Sequence, residues 1–367
     1  MKVRLEPSDE YMHPGPEPTF NESMYFNVYD SSSNVGGFVR LGNRPNEGHA
    51  EMTVCLYLPD GRVAFMFRRA EIEHNERFDA GGASFEIVEP FRTSGSGGGQ
   101  ITVGYDGKVV LLDEPLDMAD PRQAFTDNPY DAANVSLTYR GISRPFGGEP
   151  EESHERPGEE FAKGHYEQLV AATGSISVGD DTWTVDGLGL RDHSWGPRTW
   201  QAPWYYRWLT MNFPDGTGLM LSRVARPDGP GTRGGFVWDG DQLQLVRDVS
   251  ISTDWSGDGS YHQQIHATFS TAAAGSGDQG GGNQGGGAPD GSGLSGTDGI
   301  TRTVTGEVMN LIPLRNRRDG RVTRISEGLT RWTLDTALGE DPTAMVGHGL
   351  SEYLDQIVDD APVGIAE

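Results

Sequence analysis

Short runs of alternating apolar and polar residues, each stopped by an Asp-Gly turn, recur along the chain and confine it to antiparallel β structure. Val54–Leu58 and Val63–Phe67 flank Pro59-Asp60-Gly61, and Ile101–Tyr105 and Val109–Leu112 flank Asp106-Gly107. Asp-Gly tolerates the positive φ that tight hairpin turns demand, and a side-chain period of two buries one face of each strand. The second half repeats the habit. Trp208–Phe213 and Leu219–Ser222 flank Pro214-Asp215-Gly216, Phe236–Trp238 and Leu243–Val246 flank Asp239-Gly240, and Val322–Trp332 and Met345–Glu352 read as further strands. No long helical pattern competes with them, and a short helix is expected at the C-terminal end. Many short strands in two halves of similar texture predict an all-β chain of two antiparallel barrels or sandwiches in tandem, with few short helices.

The proline- and charge-rich residues 1–20 read as an extended N-terminal arm, 21–160 as an N-terminal barrel domain and 161–367 as a C-terminal one. Arg144–Glu160 has the composition of a linker. Phe161–Ala172 reads as a strand running toward an Ile176–Val178 hairpin. Residues 274–299 are mostly Gly, Ser, Asp, Asn and Gln, which bury too little apolar area to offset ordering entropy, so a disordered insert is predicted there.

Charge narrows the partners. The chain carries 29 basic and 54 acidic residues, a formal net charge of −25. That balance argues against nucleic acid, whose phosphates require a basic footprint. Lys2, Lys108 and Lys163 are the lysines and arginine supplies the other cations, the acidic, lysine-poor surface expected of a halophile. Cys55 is the one cysteine, so no internal disulfide or thiolate metal cluster can form. No run approaches the roughly 18 apolar residues of a membrane span, and the N-terminal residues show no signal-peptide core, so a cytoplasmic protein is expected.

Chemistry concentrates in Gly187-Leu-Gly-Leu-Arg-Asp-His-Ser-Trp-Gly-Pro-Arg-Thr-Trp200 and its continuation through Trp208. Polar groups of this density are costly to bury unpaired, and four of the eight tryptophans fall between Trp195 and Trp208. In an extended segment, Arg191, His193 and Trp195 share one face, and Asp192 and Ser194 the other. His193 and Trp195 are therefore assigned to a ligand, and Asp192 to pairing with an arginine such as Arg198. The alternative is that Arg191, Asp192 and Arg198 form a buried ion network beside a packed Trp195. Asp192, His193 and Glu167 are the candidate acids and bases, a salt bridge from Glu167 to Arg191 or Arg198 being an equal reading. Arg191, Trp195, Arg198, Trp200, Trp204 and Tyr206 are the candidate ligand contacts. Asn21 and Glu22 open the first barrel, where a turn cap is the simpler role. His348 and Glu352 share a face by even spacing. His262 and His266 are placed on a solvated strand face and are too few for a closed metal site; no metal and no cofactor are expected.

The motif Gly187–Arg198 resembles one found in haloarchaeal and actinobacterial members of the AttH/CrtC-like superfamily. Asn21-Glu22-Ser23, Gly42-Asn43-Arg44-Pro45-Asn46 and Tyr166-Glu167-Gln168 are similar as well. The resemblance covers about residues 20–355. It implies tandem lipocalin-like barrels, related to carotenoid 1,2-hydratases, a phytoalexin hydratase and enzymes guiding Diels–Alder cyclisations. Within such a superfamily the fold transfers better than the chemistry.

Three functions follow as expectations. The first is binding of a small lipophilic molecule, isoprenoid or polyketide-like, in a barrel or inter-domain pocket, with hydration, isomerisation or cyclisation by a cofactor-free lyase-class enzyme. The second keeps the pocket without turnover, as a carrier. The third is a carbohydrate-active β-sandwich enzyme, which would need two facing carboxylates where the motif offers Asp192 and, from elsewhere, Glu167. Oligomeric state is open. All but the last require an apolar hollow bordered by the motif.

Overall fold

The computed structural model describes residues 3–95, 97–151, 161–227, 229–271, 300–335 and 344–366. They divide into two compact units, one of residues 3–151 and 161–199, the other from Trp200 onward. The predicted insert at 274–299 lies outside the described residues.

In the N-terminal unit eight strands follow one another as a meander: β1 (Phe20–Asp30), β2 (Val35–Arg44), β3 (His49–Tyr57), β4 (Val63–Glu71), β5 (Gln100–Leu112), β6 (Tyr130–Gly141), β7 (Gly164–Val178) and β8 (Asp181–Pro197). Each pairs antiparallel with the next, and β8 returns to pair with β1, closing a barrel. Its interior holds Met24, Phe26, Leu41, Val54, Val103 and Val170, all at most 2% exposed. The C-terminal unit repeats the plan with β9 (Tyr205–Asn212), β10 (Gly218–Arg226), β11 (Gly229–Trp238), β12 (Leu243–Trp255), β13 (His262–Thr271), β14 (Thr301–Arg318), β15 (Arg321–Asp335) and β16 (Ala344–Val358). Here β16 pairs with β9. The all-β tandem-barrel architecture is thus as predicted, and closure leaves neither sheet an open edge in its ring.

Closure also moves the boundary. The sequence reading divides the chain near residue 160, but β7 and β8 are the strands that complete the first ring: Val170–Val178 pairs with β6 and Arg191–Pro197 with β1. The motif therefore belongs to the N-terminal barrel.

Among the predicted turns, Pro59-Asp60-Gly61, Pro214-Asp215-Gly216 and Asp239-Gly240 are realised with Gly61, Gly216 and Gly240 at φ of 90°, 87° and 96°. Asp106-Gly107 is not a turn. Gln100–Leu112 runs straight through it, Asp106 opposite Asn134 and Gly107 opposite Ala133. The glycine has a different purpose there: a Cβ on Gly107 would stand 2.6 Å from the Tyr105 hydroxyl, which donates to the Lys108 carbonyl at 2.8 Å. Part of the expected linker is also ordered, since Phe146–Gly148 pairs with Glu167–His165 on β7. Residues 152–160 lie outside the described residues. His262 and His266 do not share a face. A register shift beside Asp254 and Trp255 inserts an extra residue, which turns His262 inward to 1% exposure while His266 stays out.

Candidate functional site

The motif end of the N-terminal barrel is assembled by register. The β7–β8 hairpin sets Tyr166 opposite His193, Gln168 opposite Arg191 and Glu167 opposite Asp192, and β1 sets Glu22 opposite Trp195. Cross-strand partners share a face, so Arg191, His193, Trp195, Tyr166, Gln168 and Glu22 gather on one side and Asp192 and Glu167 on the other.

The inner group is sealed by the N-terminal segment, which does not lie on the surface as an arm. A 3-10 turn, Pro7–Glu10, carries Glu10 to full burial. Arg191 donates to both Glu10 oxygens at 2.6 and 2.9 Å, and its Nε donates to Gln168 Oε1 at 2.8 Å. The Tyr166 hydroxyl donates to Glu10 at 2.6 Å and the Phe91 amide at 3.1 Å. Burial opposes ionisation of Glu10, but the charge and hydrogen bonds of Arg191 outweigh it and hold its carboxyl below the usual range. Burial and the neighbouring Glu10 push the Tyr166 phenol well up, so it remains a donor. His193 Nε2 is 2.6 Å from Glu22 Oε1, and His13 Nδ1 is 3.0 Å from the same oxygen. The His13 ring stacks on Trp195 at 4.0 Å. Burial works against the Glu22 carboxylate too, yet its bonds to His13 and His193 leave it below the ordinary value. His193 and Trp195 are 1% and 2% exposed, with Phe20, Phe78 and Phe91 around them.

The outer group is His165, Glu167 and Asp192. The His165 ring contacts Asp192 directly and stands 3.6 Å from Glu167. Burial disfavours the His165 cation, but the charge and hydrogen bond of Asp192, with Glu167 behind it, raise the imidazole above its ordinary value. For Asp192 burial is likewise overcome, by His165 first and Arg198 after it, and its carboxyl lies low. The His165 side chain is 29% exposed and Asp192 15%, while Glu167 beneath them is 3% exposed, so His165 is the most open side chain of the two groups.

Each group of three, His13–Glu22–His193 and His165–Glu167–Asp192, brings its ligand-type atoms within 4.8 Å of one another. Imidazole and carboxylate are spaced there for hydrogen bonds, which makes both groups proton networks as they stand.

Of the residues singled out from sequence, Arg191, His193 and Trp195 come together inside, and Asp192 and Glu167 outside. Asp192 takes His165 as its direct partner, with Arg198 a more distant charge. Arg191 takes Glu10 and Gln168 in place of Glu167. Arg198 donates through Nε to the Phe161 carbonyl at 3.0 Å and lies over that ring at 4.5 Å. Trp200, Trp204 and Tyr206 belong to the C-terminal unit, where the Tyr206 hydroxyl bonds Glu352. Glu22 is far more than a turn cap. Glu10, His13 and His165 carried no sequence signal except that the hairpin turn at Gly179 dictates what faces the motif.

A family model described as a domain of unknown function (DUF7064) matches residues 6–276, from Glu6 beside the Glu10 turn through β13. The chain belongs to this family. No curated protein matches it by sequence. Solved structures match by fold. An AttH-like protein from Nitrosomonas europaea aligns over 96% of this chain and 97% of its own, with a TM-score of 0.56 and 11% identity. CghA, solved with Sch210972, aligns over 92% and 89%, with 0.54 and 13%. Kievitone hydratase from Nectria haematococca aligns over 96% and 93%, with 0.54 and 9%. The fold is the one these solved structures share. No helix among the described residues is long and apolar enough to cross a membrane.

Proposed function

We propose that the protein binds a small lipophilic molecule, isoprenoid or polyketide-like, against the motif end of the N-terminal barrel and hydrates, isomerises or cyclises it by proton transfer. The observation that carries this reading is the part-exposed His165, coupled to Asp192 beside Glu167 and mounted on the strand pair whose other face is locked by Glu10, Arg191 and His193. A proton donor needs both a proton at working pH and a path to the substrate. His165 is the better placed of the two histidines. Asp192 favours its protonated form and its side chain is part-exposed, whereas His193 is engaged by Glu22 and closed off.

In hydration, His165 gives a proton to one alkene carbon while Glu167 accepts one from the water whose oxygen bonds to the other. One water is added. Return of the proton from Glu167 to His165, which stand 3.6 Å apart, passes through one bridging water and restores the site. Asp192 keeps the imidazole charged and oriented, and Arg191 and Trp195 hold the strand pair rigid from behind. The likeness in fold to a hydratase supports the direction of this reading.

The test is incubation with polyene and prenylated probes in isotopically labelled water, followed by mass spectrometry. Mass gain of one water, or solvent hydrogen incorporated without net addition, is expected with the native protein. His165→Gln and Glu167→Gln should each lower the rate by about 10²–10⁴-fold, the usual worth of a positioned acid or base. Probe bound tightly and recovered unchanged would identify a carrier. Turnover surviving both substitutions would sink the assignment of residues.

A further inference from the structure

At one end of the C-terminal barrel the strand register places three cations in a row. Arg207 on β9 stands opposite Arg223 on β10, and Arg223 opposite Arg233 on β11. They stand together in a chain with almost twice as many acids as bases. Arg207 is compensated: it bonds both oxygens of Asp355 at 2.9 and 3.2 Å. Arg233 has Asp248 at 3.7 Å, a long pair between side chains each about half exposed or more.

Beside this row lies a cavity of about 310 Å³. Arg223, Arg226 and Arg233 line it together with Trp204, Tyr205 and Thr232. Its volume suits a small organic ligand. The wall is built for fixed geometry. Trp204 is held at both backbone ends, its amide donating to the Ala225 carbonyl at 2.9 Å and its carbonyl accepting from the Gln356 amide at 3.0 Å. The Tyr205 ring has the Arg207 and Arg223 guanidinium carbons 4.9 and 5.6 Å from its centre. A register shift between Val224 and Arg226 re-aims the strand where it borders the cavity, the usual office of a bulge near a binding site.

We propose that this cavity binds a small organic oxyanion, its carboxylate or phosphate held by Arg223, Arg226 and Arg233 and its flat unsaturated body resting on Trp204 and Tyr205. Guanidinium forks match two oxygens of such a headgroup. The site is independent of the proton network in the N-terminal barrel.

Calorimetric titration with 1-naphthoate, 1-naphthyl phosphate, 1-naphthalenemethanol and inorganic phosphate tests it. At least one aromatic anion should bind, more weakly as salt is raised, and raise the melting temperature. The uncharged alcohol should not bind, and inorganic phosphate should bind more weakly than the aromatic anions. Arg223→Gln and Arg233→Gln should each weaken binding by about tenfold or more, as loss of a charge-assisted bond predicts. Arg233→Gln should do so with an unchanged or higher melting temperature in the absence of anion, which a merely structural arginine would not. No binding by either aromatic anion, equal binding by the alcohol, or full affinity in both variants overturns the proposal. Inorganic phosphate binding as tightly as the aromatic anions would remove the aromatic body from it.

Discussion

In the N-terminal barrel His165 and His193 each meet a carboxylate, Asp192 and Glu22; in the C-terminal barrel His262 meets the Ser351 hydroxyl at 2.9 Å and lies flat on the Tyr353 ring at 3.9 Å. The closed meander is the same, yet His165 and His262 are driven in opposite directions. Asp192 raises His165 against the penalty of burial. Around His262 burial acts unopposed by any carboxylate, the Arg207 cation adds to it, and the group falls to about 3. A barrel wall is therefore no fixed environment. What decides whether it can hold and move a proton is which strand carries an acid in register with the histidine.

The largest effect should come from breaking the carboxylates that anchor each interior. Glu10→Ala strands Arg191, the Tyr166 hydroxyl and the Phe91 amide, and Asp355→Ala strands Arg207. Each should cost about 3–5 kcal/mol in urea unfolding followed by tryptophan emission. A loss below about 1 kcal/mol for Glu10→Ala alone would show that the N-terminal segment is not an integral part of its barrel.

Acid and alkali should separate the two histidines. The unfolded chain protonates His262 near 6.5 and the folded chain near 3, so the unfolded state holds the extra proton between those values. Stability should therefore fall as pH drops through that window, by up to about 1.4 kcal/mol per pH unit. His262→Gln should lack this dependence. His165 has the opposite sign: its raised value makes a contribution that is complete below 6.5 and lost as pH climbs through the folded value. Identical acid profiles for native protein and His262→Gln would erase the contrast.

Gly164→Ala sharpens the comparison at the motif end. A Cβ there would lie 2.2 Å from the Trp195 ring, which must move off its seat against His13. About 1–3 kcal/mol of stability should be lost, with a shift in tryptophan emission. The smallest effect belongs to the realised Asp-Gly turn. Arg62→Ala removes an exposed 2.7 Å pair with Asp60 and should change stability by no more than about 0.5 kcal/mol on thermal unfolding.

The strands themselves were legible because a period of two and a glycine with positive φ are local properties. Gly61, Gly216 and Gly240 turn where the residue pattern says they should. The division of Arg191, His193 and Trp195 from Asp192 follows from the same alternation and is what the barrel uses. Asp106-Gly107 shows the limit: the same dipeptide continues a strand when Tyr105 covers it and Asn134 and Ala133 pair with it.

Alternation along the chain therefore settles which residues share a face, since pleating is imposed by each residue's own backbone. It is silent on which segment closes a ring. That β8 pairs with β1, taking the motif into the first barrel, and that Glu10 and His13 meet Arg191 and Glu22 across more than a hundred residues or across a loop without pattern, depend on long-range closure. Those contacts arise because the ring leaves no edge unpaired and a buried guanidinium must find its carboxylate, wherever in the chain that carboxylate lies.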